Sequence, residues 1–109
     1  MMNLDYKIIN NNIRKFFNPI KNRPLNFIPI RGNQTKEHFM KMCDTAWDVV
    51  VEQGRVVVVD VELKSGQRPD IVCVDLEEPI AYEIMKSETQ KSIDKKKEEY
   101  PFKLIEVRI

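Results

Sequence analysis

Three short, β-branched stretches crowd the middle of the chain: "RVVVVDVELKS" from Arg55, "DIVCVD" from Asp70 and "IAYEIM" from Ile80. Each is too short and too rich in Val and Ile for a helix, and each ends at a turn signal, "SGQ" after the first and "LEEP" after the second. Three such runs joined by short turns predict an antiparallel meander. That meander limits the fold, because its apolar side chains need a layer to pack against.

The flanking segments supply that layer. "TKEHFMKMCDTAWDVVVEQG" predicts a helix capped by Thr35 or Asn33 and ended by Gly54. Phe39, Met42 or Cys43, Ala46, Trp47 and Val50 give it an apolar face, with Glu37, Lys41, Asp44 and Asp48 on another stripe. "SETQKSIDKKKEEY" opens with a Ser-x-x-Gln capping box and predicts a polar helix with Ile93 and Tyr100 turned inward. Pro101 ends it, and "FKLIEVRI" reads as a fourth strand, able to lie parallel to an earlier one because a helix crossover precedes it. The expected fold class is therefore α/β: an αβββαβ core with a mixed four-stranded sheet flanked by helices.

Residues 1–34 read as a basic N-terminal arm and residues 35–109 as the α/β domain. The arm contains Pro19, Pro24 and Pro29, which impose extended structure, and "YKIINNNIRKFF", an amphipathic helix with Ile9, Ile13, Phe16 and Phe17 on one side. "PLNFIPI" is expected to lie along the body through Leu25, Phe27, Ile28 and Ile30. The arm carries Lys7, Arg14, Lys15, Lys21, Arg23 and Arg31 against Asp5, a net of +5, which leaves −4 for the body within a total of +1. A basic arm on an acidic body suits a protein whose arm meets phosphates while its body holds a cation; balancing charge for solubility is the plainer alternative.

A length of 109 residues with 42% hydrophobic and 32% charged residues fits one soluble globular domain. No apolar run approaches a bilayer span, and the first residues lack the apolar core of a signal peptide. The expectation is an intracellular, cytoplasmic protein with no membrane partner, in the host cytoplasm if the source is viral. The Lys-, Ile- and Asn-rich usage points to an AT-rich microbial or viral genome. Cys43 and Cys73 sit among apolar neighbours without CxxC spacing and are expected as buried free thiols.

Two carboxylates stand out in the meander. Asp70 follows Pro69 at the start of the second strand, and Glu83 lies between Tyr82 and Ile84 in an otherwise apolar strand. A buried carboxylate is uncommon without a partner or a metal. The element order, the Pro-Asp pair and the internal Glu resemble the PD-(D/E)XK nuclease superfamily, whose fold is that of restriction endonucleases. The resemblance covers roughly residues 35–109.

It implies a metal-dependent nuclease that hydrolyses phosphodiester bonds, in DNA first of all, with Mg²⁺ or Mn²⁺ as cofactor. Metal ligands would be Glu37, Asp70 and Glu83; Asp60 and Glu62 are reserves for the third acid. Hard divalent cations take oxygen ligands and keep several waters, so two or three carboxylates suffice. The family's lysine lies two residues after the Glu, where this chain has Met85. Catalytic residues are therefore expected to be Asp70, Glu83 and Lys86, the last reaching the site if the strand ends at Met85; Lys91 is a second candidate, since relatives supply the Lys from other elements. Nucleic-acid contacts are expected from Arg14, Lys15, Lys21, Arg23, Arg31, Lys91 and Lys95, with Lys96 and Lys97 beside them. His38 reads as structural or surface-facing. A homodimer is expected from the small body. The alternative is a catalytically inactive protein of this fold, used for nucleic-acid binding or assembly, and Met85 favours it.

Overall fold

The computed structural model describes residues 5–19 and 24–109. Its elements are helix α1 (Tyr6–Phe16), helix α2 (Lys36–Trp47), a π-helical turn (Asp48–Glu52), strands β1 (Val57–Val59), β2 (Ile71–Cys73) and β3 (Ile80–Met85), helix α3 (Gln90–Glu99) and strand β4 (Lys103–Arg108). The four strands form one sheet in the order β1-β2-β3-β4. β1, β2 and β3 pair antiparallel, and β4 joins β3 in parallel. The protein is thus α/β with a mixed four-stranded sheet and three α-helices, as the sequence predicts. No helix among the described residues is long and apolar enough to cross a membrane.

Strand alternation divides the core into two layers. Val58, Val72, Ala81 and Leu104 face one side, where Ile9 and Phe17 from the N-terminal segment pack with Tyr100 and Phe102. Val57, Val59, Ile71, Cys73, Tyr82 and Ile84 face the other, against Met42, Ala46 and Val49. The stretch expected as an arm therefore fills one face of the sheet. Asn12, buried on α1, fastens it there by donating from Nδ2 to the carbonyls of Val74 (2.8 Å) and Leu76 (2.7 Å). Further along, Asn26 covers the open edge of β1. Its N–H donates to Val57 O at 2.8 Å and its Oδ1 accepts from Val57 N–H at 2.9 Å. That contact occupies an edge that would otherwise invite another strand. Of "PLNFIPI", Leu25 and Ile28 pack on the core, whereas Phe27 and Ile30 are exposed.

Four local expectations need correction. The helix predicted from residue 35 is α-helical only to Trp47 and then widens into the π turn before Gly54, whose φ is +69°. Thr35 caps it, accepting from His38 N–H. Met42, Thr45, Ala46 and Val49 form the buried stripe, and Trp47, one residue off that stripe, is 59% exposed. The first strand breaks at Asp60, whose φ of +57° leaves the extended region, although its N–H still donates to Asp70 O at 3.1 Å. The third helix starts at Thr89, which accepts from Ser92 N–H, so the Ser87 capping box does not form. Cys73 is buried, but Cys43 is only half-buried; both thiols are free. Burial, with Asp75 alongside, pushes the Cys73 thiol up to about 12, so it is an inert packing group.

Candidate functional site

Asp70 and Glu83 are brought together by strand register. Ile71 pairs with Tyr82 across β2 and β3, and Asp70 precedes Ile71 as Glu83 follows Tyr82, so the two charges act on each other while Asp70 reaches toward α2 and Glu83 toward α3. Asp70 precedes the strand and turns its carboxylate onto the neighbouring backbone: Oδ2 accepts from Ile84 N–H at 2.8 Å. Its Oδ1 lies 3.4 Å from His38 Nε2 on the first turn of α2. His38 is in turn held by Gln34, whose Nε2 is 3.2 Å from His38 Nδ1.

Glu83 meets a different set of partners, all from the α3 crossover. Tyr100 donates its hydroxyl to Glu83 Oε2 at 3.2 Å. The Lys96 ammonium lies 4.0 Å from Glu83 Oε1 and 2.8 Å from Glu88 Oε2. Ile93 explains why Lys96 reaches this far. It is fully buried and fixes the rotation of α3, and Lys96 follows it by three residues, close to the same face.

The electrostatics are those of a desolvated acidic pair. Burial raises Glu83 above its ordinary carboxylate range, Lys96 draws it back, and the nearby Asp70 charge raises it again. Asp70 is also raised by burial, against the Ile84 N–H and His38, which lower it, with Asp60 adding to the rise. Burial lowers the Lys96 ammonium, but Glu88, Glu83 and Asp70 outweigh it, so its pKa ends above the ordinary lysine value. Lys96 is consequently a permanent cation at neutral pH. The Tyr100 hydroxyl is pushed up by burial and by Glu83, so it stays protonated and acts as a donor.

The remaining predicted residues lie elsewhere. β3 does end at Met85, but the exposed Lys86 turns away to Glu37 (3.0 Å), so that lysine and that helix acid pair with each other. Met85 itself is buried at 1% exposure. Asp60 pairs with Arg31 and lies 4.0 Å from Arg68 Nη1; Glu62 lies 3.5 Å from Arg68 Nε and accepts from Asn18. Arg14, Lys15, Lys91 and Lys95 are exposed, whereas Lys21 and Arg23 lie outside the described residues. Lys15 sits over the Phe16 ring, 5.1 Å from its centroid. Lys97 reaches Glu106 at 3.8 Å.

Tyr100 and His38 are the neighbours that sequence reasoning did not assign to the site. A Tyr at a predicted helix end and a single His on a predicted first turn were the available signals.

Among the described residues, no three His, Cys, Asp or Glu side chains stand together as a metal-holding group. A hard cation that keeps most of its own waters needs only two carboxylates, and here Asp70 Oδ1 has His38 Nε2 at 3.4 Å and Glu83 Oε1 has Lys96 Nζ at 4.0 Å. Both acids are disfavoured as anions by burial, and each has an oxygen not engaged by a backbone N–H. Compared with protein-family models, with curated proteins and with solved structures, the chain finds no match.

Proposed function

We propose that the protein is a metal-dependent nuclease with a restriction-endonuclease-like core, in which α2, β1, β2, β3, α3 and β4 form the αβββαβ unit. The observation that carries this reading is that Asp70 and Glu83, at the start of β2 and within β3, are near enough for each charge to act on the other, with a lysine ammonium 4.0 Å from the glutamate. In this proposal Asp70 and Glu83 would hold Mg²⁺ or Mn²⁺ at the open end of the β2–β3 pair. Such a cation supplies charge relief for the phosphate and a nucleophile at neutral pH.

The chain's own groups divide the remaining work. Ile84 N–H fixes the Asp70 carboxylate, and Tyr100 fixes that of Glu83, so neither needs to reorganise on binding. Lys96 takes the position that Lys86 was expected to fill. Because its ammonium stays protonated, its role is to orient water and to offset charge on the phosphate, and proton abstraction falls to another group.

Cleavage assays with Mg²⁺ and Mn²⁺ on single-stranded, duplex and branched DNA test the reading. Wild type should cleave at least one form, and Asp70→Asn and Glu83→Gln should each lower the rate at least ~100-fold. The alternative, a nucleic-acid-binding protein of this fold without catalysis, is favoured by the Glu37–Lys86 pair, which leaves the two carboxylates without a third acid. Binding to DNA with no cleavage under any divalent cation would establish it instead.

A further inference from the structure

Beside Asp70 a cleft of about 360 Å³ opens between the extended segment, the start of α2 and the end of β1. Pro29, Met42 and Val59 give it apolar walls, and Asn33, Gln34 and Thr35 give it a neutral polar rim. Arg31 lines the cleft as well, but it is already paired with Asp60, and the Asp60 and Asp70 carboxylates face the same space. A phosphate is therefore badly matched to this cleft. A flat, neutral heterocycle with donors and acceptors on its edge is well matched. Behind the rim, Gln34 Oε1 is buried with no hydrogen bond among the described residues, while the amide nitrogen is held by His38 and by Met42 Sδ at 3.2 Å. A buried unpaired carbonyl is costly, and a turn of the Gln34 side chain that brought it to a ligand donor would recover that cost.

Resting on the nuclease reading above, we propose that this cleft holds one unpaired nucleobase of the substrate, next to the phosphate at Asp70 and Glu83. The volume is ample for a single base, and Asp70 both lines the cleft and interacts with Glu83. A base seated there has left its stack, as enzymes that hold one nucleotide in a pocket require. The substrate class is accordingly single-stranded nucleic acid, or a strand end or branch that frees one base. The base would lie between the apolar walls, with its edge toward Gln34 and Asn33; amide side chains of this kind pair well with base edges.

The test uses the full chain carrying Glu83→Gln, without divalent cation, so that binding is read apart from cleavage. Deoxynucleoside monophosphates should shift the side-chain amide resonances of Asn33 and Gln34 and the methyl resonance of Met42, and deoxyribose 5-phosphate should not. Short single-stranded oligonucleotides with abasic sugars should bind about tenfold more weakly than their base-bearing counterparts, the scale of one well-held base. Gln34→Leu should narrow that difference. If that variant fails to fold, the wild-type amide shifts and the abasic comparison decide alone. Equal affinity for abasic and base-bearing strands, or equal shifts from the base-free sugar phosphate, overturns the base site. Absence of cleavage by wild type with the base effect intact overturns the proposed chemistry and leaves the base site standing.

Discussion

Glu83→Gln should make this protein more stable at neutral pH. Burial raises the folded-state pKa of Glu83, so the folded protein holds that proton to a higher pH than the unfolded chain. Below the ordinary value near 4.5 the two states bind the proton alike and nothing is lost. As pH rises from there through the raised value, the folded state loses stability, and above that value the whole penalty is present. A neutral Gln escapes it and still accepts from Tyr100. Asp70→Asn should act in the same direction, since Asp70 is raised as well, and Asn still accepts from Ile84 N–H. Thermal melts between pH 4 and 8 should show the variants' advantage growing with pH. Added Mg²⁺ should raise the melting temperature of wild type and leave the double variant unmoved. A wild type that ignores Mg²⁺ would remove the metal from the proposal.

The same scale separates two lysines. Lys96→Met should lower the cleavage rate by about 100-fold, the scale of one positioned acid–base or charge-stabilising group, while Lys86→Met should cost under about tenfold. Lys86 is 72% exposed on its side chain and is tied to Glu37, whereas Lys96 stands over the acidic pair. Single-turnover kinetics on the preferred DNA form would separate them. The reverse order of effects would return the role to Lys86.

Among the elements, α1 is the one most dependent on a single polar side chain. Asn12 satisfies two carbonyls at the end of β2, so Asn12→Leu leaves both without that donor in a place shielded from water. The expected destabilisation is about 1–3 kcal/mol by urea denaturation, against near zero for Asn11→Leu on the exposed face. "NNN" in the sequence marks only a polar cluster; which Asn turns inward depends on how Ile9 and Ile13 seat the helix. Other elements divide along similar lines. β3 was legible throughout, because the run from Ile80 to Met85 is apolar apart from Glu83 and Pro79 marks its start. β1 was legible as a strand but not in length, since the left-handed turn at Asp60 serves tertiary contacts with Asp70, Arg31 and Arg68. Asp70 and Glu83 were readable as neighbours because two strands joined by one short connection pair with each other, whereas the parity that would set both on one face was not. Lys96 was not, because the rotation of α3 is set by where Ile93 packs, which periodicity alone does not give.

For the molecule as a whole, the N-terminal segment is part of the folded body: Ile9 and Phe17 are 1% and 3% exposed. Removing residues 1–31 would expose one face of the sheet, so the contribution of the basic residues has to be read by charge substitution. Arg14→Gln with Lys15→Gln, both exposed, should reduce the dependence of log affinity on log salt by about 0.7 for every phosphate that these side chains neutralise on a single strand. Lys91→Gln with Lys95→Gln tests the outer face of α3 in the same way. Fluorescence anisotropy over a salt series gives both slopes. An unchanged slope in the first pair and a reduced one in the second would move the nucleic-acid path to α3.

The parallel pairing of β3 with β4 routes the chain through α3 between those two strands. A parallel neighbour cannot follow by a tight turn, so the crossover that the sheet requires is also the segment that carries Lys96 and Tyr100 to Glu83. The cation and the hydroxyl therefore share one tether, and loosening α3 from the sheet would withdraw both from Glu83 at once.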